Sequence, residues 1–348
     1  MGLFKNMLTG DETIFKEEIA LDLDYKPLII KHRENQQHHI ATCIKPLLQD
    51  RNGKNLIITG APGIGKTLAT QKILDDLEQD TDNIIPIYIN CWKKDTPFKI
   101  ALEICNLLEY KFTHNKDTDA LLKEICSIIN KKSAVIVLDE IDKLSDFSIL
   151  YSLLEDINKK TLILITNEKT FLQDLDIRIR SRLTPEGLEF KEYNYDETAD
   201  ILKQRIEQAF FQGVISPESF DLIANKTFEA RDIRTGLYLL KESGDTAELN
   251  SSKKVLPEHT KIALEKLKDV KIQNSSTLEQ LDRDLLNFIK LNSGRSRKEI
   301  FDLYSEDNKT SYRTFHRKVQ NLESAGFISI KSREYGKSNT IEYIEKVK

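Results

Sequence analysis

Gly60-Ala-Pro-Gly-Ile-Gly-Lys66-Thr67 is the stretch of this 348-residue sequence that decides the fold. It follows an apolar run, Leu56 to Thr59, and a helical pattern begins directly after it. A strand, a glycine-rich loop and a helix in this order are typical of a phosphate-binding loop, because backbone amides at the start of the helix point at the phosphates. Lys66 is predicted to contact the β- and γ-phosphates of ATP, and the Thr67 hydroxyl to bind Mg²⁺. The residues of this loop assigned to the nucleotide are Ala61, Pro62, Gly63, Ile64, Gly65, Lys66, Thr67 and Leu68.

An acidic pair, Asp139-Glu140, follows a second apolar run, Val135 to Leu138. The run reads as a strand that is buried on both faces, and acidic side chains just past such a strand face the crevice where ligands bind. Taken alone, the pair would more often be a solvated turn. Because a phosphate loop lies about 70 residues upstream, as strand-helix-strand spacing allows, we favour a site. Asp139 is predicted to hold Mg²⁺, and Glu140 to orient or deprotonate the water that attacks the γ-phosphate.

Apolar runs and helical patterns alternate over the first half of the chain, which predicts a parallel sheet with helices on both faces. Two further strands are expected, at Ile84 to Ile89 and at Thr161 to Thr166. The helices expected here cover Gln36 to Leu48, Pro97 to Tyr110 and Asp119 to Asn130. The sequence therefore predicts an α/β nucleotide-binding domain in residues 1–192.

From about residue 195 the strand signal stops, and an all-helical domain is predicted in residues 193–271. Its helices are expected over Asp196 to Phe211, from Ser216 onward, over Ile233 to Lys241 and over Val255 to Lys271. The polar segment Glu242 to Lys254 reads as turn-rich, and Ile272 to Thr277 as a linker.

Residues 278–348 have the pattern of a winged helix-turn-helix domain. An apolar stripe from Leu278 to Ile289 and two helices, Arg297 to Tyr304 and Ser311 to Ala325, precede two strands, Gly326 to Ile330 and Thr340 to Ile344. This segment is basic, whereas the rest of the chain is acidic. In such domains the last helix enters the DNA major groove, so we favour DNA contact over a winged helix that only docks on proteins. The residues predicted to contact DNA are Arg313, His316, Arg317, Gln320, Arg333, Tyr335 and Lys337.

Composition narrows the class of protein. No apolar stretch approaches the 18 or so residues of a membrane span, and no signal peptide is recognisable, so we expect a cytoplasmic, nucleoid-associated protein without a membrane partner. The four cysteines are scattered without a C-x-x-C pair, which favours a reduced protein without structural zinc. The adjacent His38 and His39 are interpreted as surface residues rather than metal ligands.

The ordered series of motifs resembles a known family, the archaeal replication initiators of the AAA+ class, homologues of origin recognition complex subunit one and cell division control protein six. The resemblance runs from Ile14 to the end of the chain. Besides the phosphate loop and the acidic pair, it is carried by His32-Arg33-Glu34, Asn90-Cys91, Thr166-Asn167 and Asp232-Ile-Arg234. It implies an AAA+ domain, a helical lid and a winged helix.

The resemblance also implies roles for individual residues. Asn167 corresponds to the sensor-one residue, which holds the attacking water or the γ-phosphate, and Arg234 to the sensor-two arginine of the lid. An arginine finger that acts on a neighbouring copy is expected at Arg178, which matches the archaeal pattern, or at Arg182, which matches the broader one. His32 and Arg33 correspond to the segment near the adenine. Two residues of the lid, Tyr195 and Arg205, complete the set assigned to ATP.

The function that this resemblance implies is replication initiation. Such a protein would bind ATP or ADP with Mg²⁺, bind double-stranded origin DNA and help to recruit or load the replicative helicase. Other initiator copies are among the partners that the resemblance allows. Slow ATP hydrolysis would then act as a switch. Two alternatives stay open: a clamp-loader-like assembly subunit, and a nucleotide-switched DNA-binding regulator. The family pattern at sensor two is Gly-Asp-Ala-Arg, whereas this chain has Arg231-Asp-Ile-Arg234.

Overall fold

A computed structural model of the protein describes residues 13–276, 280–307, 312–324, 328–332 and 339–343. The chain divides into two compact units, Met1–Ala263 and Leu264–Lys348. Among the described residues, no helix is both long and apolar enough to cross a membrane.

The first unit is built on a five-stranded parallel sheet. Its strands are β1 (Leu56–Thr59), β2 (Ile84–Asn90), β3 (Ser133–Asp139), β4 (Lys160–Thr166) and β5 (Glu186–Glu189), in the spatial order β2-β3-β4-β1-β5. Thr59 pairs with Thr166, so β1 and β4 end at the same level of the sheet. The predicted parallel sheet is confirmed, and the segments that follow β1, β3 and β4 meet at one edge.

Helices cover both faces of this sheet, as predicted. They are α1 (Glu34–Ile44), α2 (Lys66–Asp80), α3 (Pro97–Leu107), α4 (Thr118–Ile129), α5 (Ser148–Asp156), α6 (Phe171–Asp174) and α7 (Ile177–Leu183). Alternate residues of β3 enter different cores, because side chains alternate between the faces of a strand: Ile136 packs with α3 and α4, and Val135 with α1 and α2. Both faces of β3 and β4 are buried, which explains their unbroken apolar runs.

A helical bundle follows the sheet. It contains α8 (Tyr195–Ala209), α9 (Pro217–Ala230), α10 (Ile233–Leu249) and the first part of α11 (Pro257–Ser276). Two predictions are wrong here. Helix α10 continues through residues 242–249, because Gly244 lets the Phe15 ring approach the helix: a Cβ at Gly244 would lie 2.3 Å from Phe15 Cζ. Helix α11 also includes residues 272–276, which were expected to form a linker.

The second unit contains α12 (Gln280–Leu291), α13 (Arg297–Asp307) and α14 (Tyr312–Ser324), followed by β6 (Ile328–Ser332) and β7 (Asn339–Tyr343). The two strands pair in antiparallel orientation. The three helices share an apolar core centred on Leu285, Ile300, Phe315 and Val319. Three helices and a hairpin agree with the winged-helix prediction. The predicted wing residues Arg333, Tyr335 and Lys337 lie outside the described residues.

Candidate nucleotide site

The phosphate loop joins β1 to α2, and two of its glycines allow the backbone conformation that the loop adopts. Gly63 has a φ of 73° and Gly65 a φ of 88°, both in the left-handed region that favours glycine. Helix α2 begins at Lys66, so its unpaired amides face the loop. A loop of this shape at a helix N-terminus can bind a phosphate group.

Lys66 connects the loop to the neighbouring strand end. Its Nζ donates to the carbonyl oxygens of Gly60 and Ala61 and to Oδ1 of Asn167, each at 2.8 Å. Burial lowers the pKa of Lys66 to about 8, since desolvation disfavours its charged form. Its three hydrogen-bond acceptors are uncharged oxygens, so the phosphates of a nucleotide would offer this cation charged ones.

Asp139 lies at the centre of a second group of polar side chains. The carboxylate is almost fully buried, and its Oδ2 accepts hydrogen bonds from the Thr67 hydroxyl at 2.6 Å and from the Tyr88 hydroxyl at 2.8 Å. The Glu140 amide donates to the other oxygen at 2.8 Å. A buried carboxylate beside a hydroxyl is a donor set that fits Mg²⁺, which prefers oxygen ligands.

Glu140 follows β3 in the left-handed region, with a φ of 54°. This conformation is uncommon for a residue with a side chain and is frequent at functional sites. Burial raises the pKa of its carboxyl, and the nearby charge of Asp139 raises it further. A carboxyl of raised pKa beside a candidate metal ligand is suited to accept a proton from a water molecule.

Helix α10 reaches the phosphate loop through the turn that starts it. Asp232 caps the helix by accepting from the Arg234 amide, and it also pairs with the Arg234 guanidinium at 2.7 Å. The Ile233 amide donates to the Gly63 carbonyl at 3.3 Å. Arg231, where the family pattern has glycine, adopts a φ of 53° and ends α9. Helix α10 therefore begins with an ordinary side-chain N-cap, Asp232, and the residue before it, Arg231, has a left-handed backbone conformation.

A cavity of about 400 Å³ joins these groups. Its polar wall combines the phosphate loop with the acidic pair, Asn167 and Arg234. The opposite wall is largely apolar, as a purine base requires. The residues of that opposite wall include Leu23, Pro27, Ile29, Ile30, Tyr193, Ile201, Gln204, Arg205 and Leu237.

Several residues assigned to ATP from the sequence lie outside this cavity. Arg33 is buried behind it, where it donates to the Lys191 carbonyl at 2.7 Å and stacks on the Tyr193 ring at 3.8 Å. The His32 ring contacts Asp200, and Tyr195 packs against Phe228. Tyr193, two residues before Tyr195, lines the cavity instead. Two loop residues, Ala61 and Ile64, are also absent from its lining.

The finger candidates lie on α7, away from the cavity. Arg178 pairs with Asp176 at 3.1 Å, and Arg182 pairs with Glu155 and lies over the Tyr151 ring. Neither arginine lines the cavity.

In the second unit, two of the predicted DNA contacts are described in full. Arg317 on α14 is exposed, whereas the His316 ring Nε2 lies 2.8 Å from Nη1 of Arg297. Since a guanidinium only donates, His316 accepts here and is held within the unit. The side chains of Arg313 and Gln320 lie outside the described residues.

Two residues of the site were missed in the sequence. Tyr88 lies in an apolar strand, so its sequence context suggested only a core residue. Its hydroxyl reaches Asp139 because β2 pairs with β3, with Tyr88 opposite Val137. Asp232 was read as part of a motif, but its contact with Gly63 comes from tertiary packing. No pattern in the sequence signals either contact.

Two domain families match the chain in the order of its structural parts. Residues 49–173 match the AAA domain, and residues 199–265 match the Cdc6 AAA+ ATPase-type lid domain. The ORC1-type DNA replication protein 1 of Sulfurisphaera tokodaii is 32% identical over 314 residues, covering 84% of this chain and 78% of the relative. This chain belongs to the ORC1-type DNA replication proteins.

Other ORC1-type proteins extend the match over more of the chain. The ORC1-type DNA replication protein 2 of Methanothermobacter thermautotrophicus is 28% identical over 336 residues, covering 92% of this chain and 88% of the relative. A structure of the Aeropyrum pernix ORC1 protein in complex with DNA aligns with a TM-score of 0.74 and 25% identity, covering 95% of this chain and 94% of that one. The AAA+ fold, the lid and the winged helix are therefore those of this initiator family.

In this ORC1-type protein, the contact between Gly63 and Asp232 predicts a selective cost of substitution. A Cβ at Gly63 would lie 1.9 Å from Asp232 Oδ1, whereas nothing lies within 4 Å of a Cβ at Gly213, which has a similar φ of 78°. Both Gly→Ala variants suffer about 1 kcal/mol of backbone strain, and Gly63→Ala must also displace Asp232. Urea unfolding should show a loss of about 2–3 kcal/mol for Gly63→Ala and about 1 kcal/mol for Gly213→Ala. Equal losses would contradict the contact.

Proposed function

We propose that this protein is an ATP-dependent initiator of DNA replication. It binds ATP with Mg²⁺ between sheet and lid, binds origin duplex DNA through the winged helix, and helps to recruit or load the replicative helicase. The observation that carries the proposal is the convergence of Lys66, Asp139, Glu140, Asn167 and Arg234 on one cavity in a chain of this family. Lys66 begins α2 after the loop that follows β1, Asp139, Glu140 and Asn167 lie at the ends of β3 and β4, and Arg234 lies on α10 of the lid.

In the proposed reaction, each residue has a distinct task. Lys66 holds the β- and γ-phosphates, Asn167 positions the attacking water and Glu140 takes its proton. Thr67 and Asp139 would hold Mg²⁺, which when bound offsets the charge of the phosphates. The Tyr88 hydroxyl, which donates to Asp139, keeps that carboxylate aimed at the metal position.

Slow hydrolysis of ATP would act as a switch by changing the position of the first turn of α10. Arg234 is paired with Asp232 in the free protein, and Asp232 lies against the loop at Gly63. A γ-phosphate offers Arg234 a more highly charged partner than Asp232 does. Exchange of partners would move the first turn of α10, so the lid position would depend on whether ATP or ADP is bound.

Action in trans is proposed for the arginines of α7. Arg178 is largely exposed, and its pairing with Asp176 is an exposed ion pair of little energetic weight. It could therefore leave Asp176 for the nucleotide of a second initiator copy, where a guanidinium offsets transition-state charge. Arg182, which is more covered and lies over Tyr151, is the second candidate.

Support for DNA binding comes from the second unit and from its relative. The Aeropyrum pernix ORC1 structure contains DNA, and it aligns with this chain over 95% of the length. Arg317 projects from the last helix of the three-helix core, the element that enters the major groove in helix-turn-helix proteins. A clamp-loader-like subunit would not need this basic module.

The test is DNA binding by the full-length protein across a salt series. Chromosomal-origin and random-sequence duplexes are compared with and without ATP and Mg²⁺, using the unmodified protein, Arg317→Ala and Lys45→Ala. Arg317→Ala is expected to weaken origin binding by about 1–3 kcal/mol and to reduce the preference for origin sequence. Lys45, an exposed lysine in the first unit, is the matched control and should change little.

Two outcomes would count against the initiator. Binding that is weak, blind to sequence and steeply salt-dependent would indicate only phosphate contacts and would favour the assembly subunit. Specific binding that is indifferent to nucleotide, together with absent hydrolysis, would favour a DNA-binding regulator.

A further inference from the structure

Three potential metal ligands meet on the first unit, away from the nucleotide cavity. His39 and Cys43 are four residues apart on α1 and so lie on one face of the helix. Glu186 is the first residue of β5, the edge strand beside β1. One ligand atom from each of the three lies within 4.8 Å of the others. This group is not recognisable in the sequence, because Cys43 and Glu186 are 143 positions apart.

The distances within this His39–Cys43–Glu186 group are close to those of a zinc site. Glu186 Oε2 lies 3.2 Å from His39 Nε2 and 3.6 Å from Cys43 Sγ. Around a tetrahedral Zn²⁺ with bonds of 2.0–2.3 Å, ligand atoms are about 3.3–3.8 Å apart. Shifts of a few tenths of an ångström to about 1 Å would therefore bring all three atoms onto one ion.

The His39 ring has an unused buried nitrogen. Its Nε2 atom is closed to solvent and makes no hydrogen bond with any residue in the described part of the chain, although the Glu186 carboxylate is near. Buried polar atoms normally have a partner, since leaving one without costs about 1–3 kcal/mol. A metal ion between His39, Cys43 and Glu186 would give this nitrogen a partner.

The surroundings leave one coordination position open. The other carboxylate oxygen of Glu186 accepts from Lys54 Nζ at 2.7 Å, so Oε2 is the oxygen turned toward His39 and Cys43. Such outer contacts orient a ligand for its metal. Cys43 is buried, but the side chains of His39 and Glu186 are each 38% exposed, which leaves room for a water molecule as fourth ligand.

We propose that His39, Cys43 and Glu186 bind one Zn²⁺ ion that fastens α1 to the edge strand β5. Nitrogen, sulfur and one carboxylate oxygen together favour this borderline-soft ion over Mg²⁺, which prefers oxygen alone. Glu186 pairs with Leu56 at the start of β1, whereas the phosphate loop follows the end of that strand. The site is thus separate from the nucleotide site. Burial raises the pKa of the Cys43 thiol to about 11, so its proton is released as the metal binds.

The test uses metal-stripped full-length protein with excess Mg²⁺ present to occupy oxygen-only sites. Zn²⁺ binding is measured by competition with a chromophoric chelator, and Co²⁺ is added separately as a spectroscopic probe. We expect one Zn²⁺ per chain, a thiolate-to-cobalt charge-transfer band and a rise in the melting temperature on Zn²⁺ addition. His39→Gln and Glu186→Gln should each weaken Zn²⁺ binding at least about tenfold, and Cys43→Ser should abolish the charge-transfer band.

Matched controls separate this site from adventitious binding. His38→Gln changes the adjacent, exposed histidine, and Cys105→Ser changes another buried cysteine. Both should bind Zn²⁺ as the unmodified protein does. If the cobalt band is absent, or if His38→Gln weakens Zn²⁺ binding as much as His39→Gln, the proposal is overturned. Because His39 is half-buried and on the surface of α1, its variant tests the site even if Cys43→Ser fails to fold.

Discussion

Replacing Lys66 with alanine is expected to weaken ATP binding about a hundredfold. The free protein already holds the Lys66 ammonium inside the glycine-rich loop, where it donates to the carbonyls of Gly60 and Ala61 and to the Asn167 amide oxygen. Losing a buried charge of this kind from a complex costs about 3 kcal/mol, which corresponds to roughly a hundredfold in affinity. Equilibrium titration with a fluorescent ATP analogue measures the change.

The matched control for this prediction is Lys72→Ala. Lys72 lies on the same helix, six residues further on, but pairs with Asp76 outside the cavity. Its loss should leave ATP affinity within about twofold, because Lys72 does not line the cavity and a partly exposed ion pair contributes little. If Lys66→Ala binds ATP normally while circular dichroism shows a native fold, the cavity is not the nucleotide site.

The pH dependence of binding provides a second readout for Lys66. In the free protein its pKa is about 8, because burial disfavours the ammonium form. Phosphates next to the ammonium would raise that pKa, so above pH 8 the complex holds a proton that the free protein has lost. ATP affinity should then fall as pH rises above 8, with a limiting slope of about tenfold per pH unit. Lys66→Arg, whose guanidinium stays charged, should lack this slope.

The fold could be predicted because its decisive segments are local in sequence. The phosphate loop fixes a strand and a helix, and apolar runs mark the strands that are buried on both faces. The strand β5 was missed because Glu186-Gly-Leu-Glu189 has no apolar run and β5 is an edge strand of the described sheet. The end of α10 was misplaced because residues 242–245 have a turn-like composition, which packing against Phe15 overrides.

The candidate site was predicted where a strand end carries the chemistry. Asp139 is the last residue of β3, Glu140 and Asn167 directly follow β3 and β4, and Lys66 begins α2. The structure brings these four residues together in one cavity. Apart from Arg205, the apolar wall of the cavity was not predicted, because its residues, Ile29 and Ile30 among them, come together only through tertiary contacts. Residues placed there by resemblance, such as Arg33, instead support the wall from behind.

Glu140→Gln is expected to abolish most ATP hydrolysis while leaving ATP binding intact. Glutamine keeps the size of the side chain but cannot accept a proton from the attacking water. General-base catalysis of this kind contributes roughly 10²–10⁴-fold, so phosphate release should fall by at least about a hundredfold. ATP affinity should stay within about threefold, because removing a negative charge beside Asp139 does not weaken the attraction for phosphates.

Glu168→Gln is the matched control for Glu140→Gln. Glu168 directly follows Asn167 at the same edge of the sheet, but its side chain is exposed and does not line the cavity. The same chemical change there should leave hydrolysis within about twofold. A Glu140→Gln protein that releases phosphate at the normal rate would show that another group activates the water. A joint loss of binding and hydrolysis would show that Glu140 holds the loop in shape rather than acting on the water.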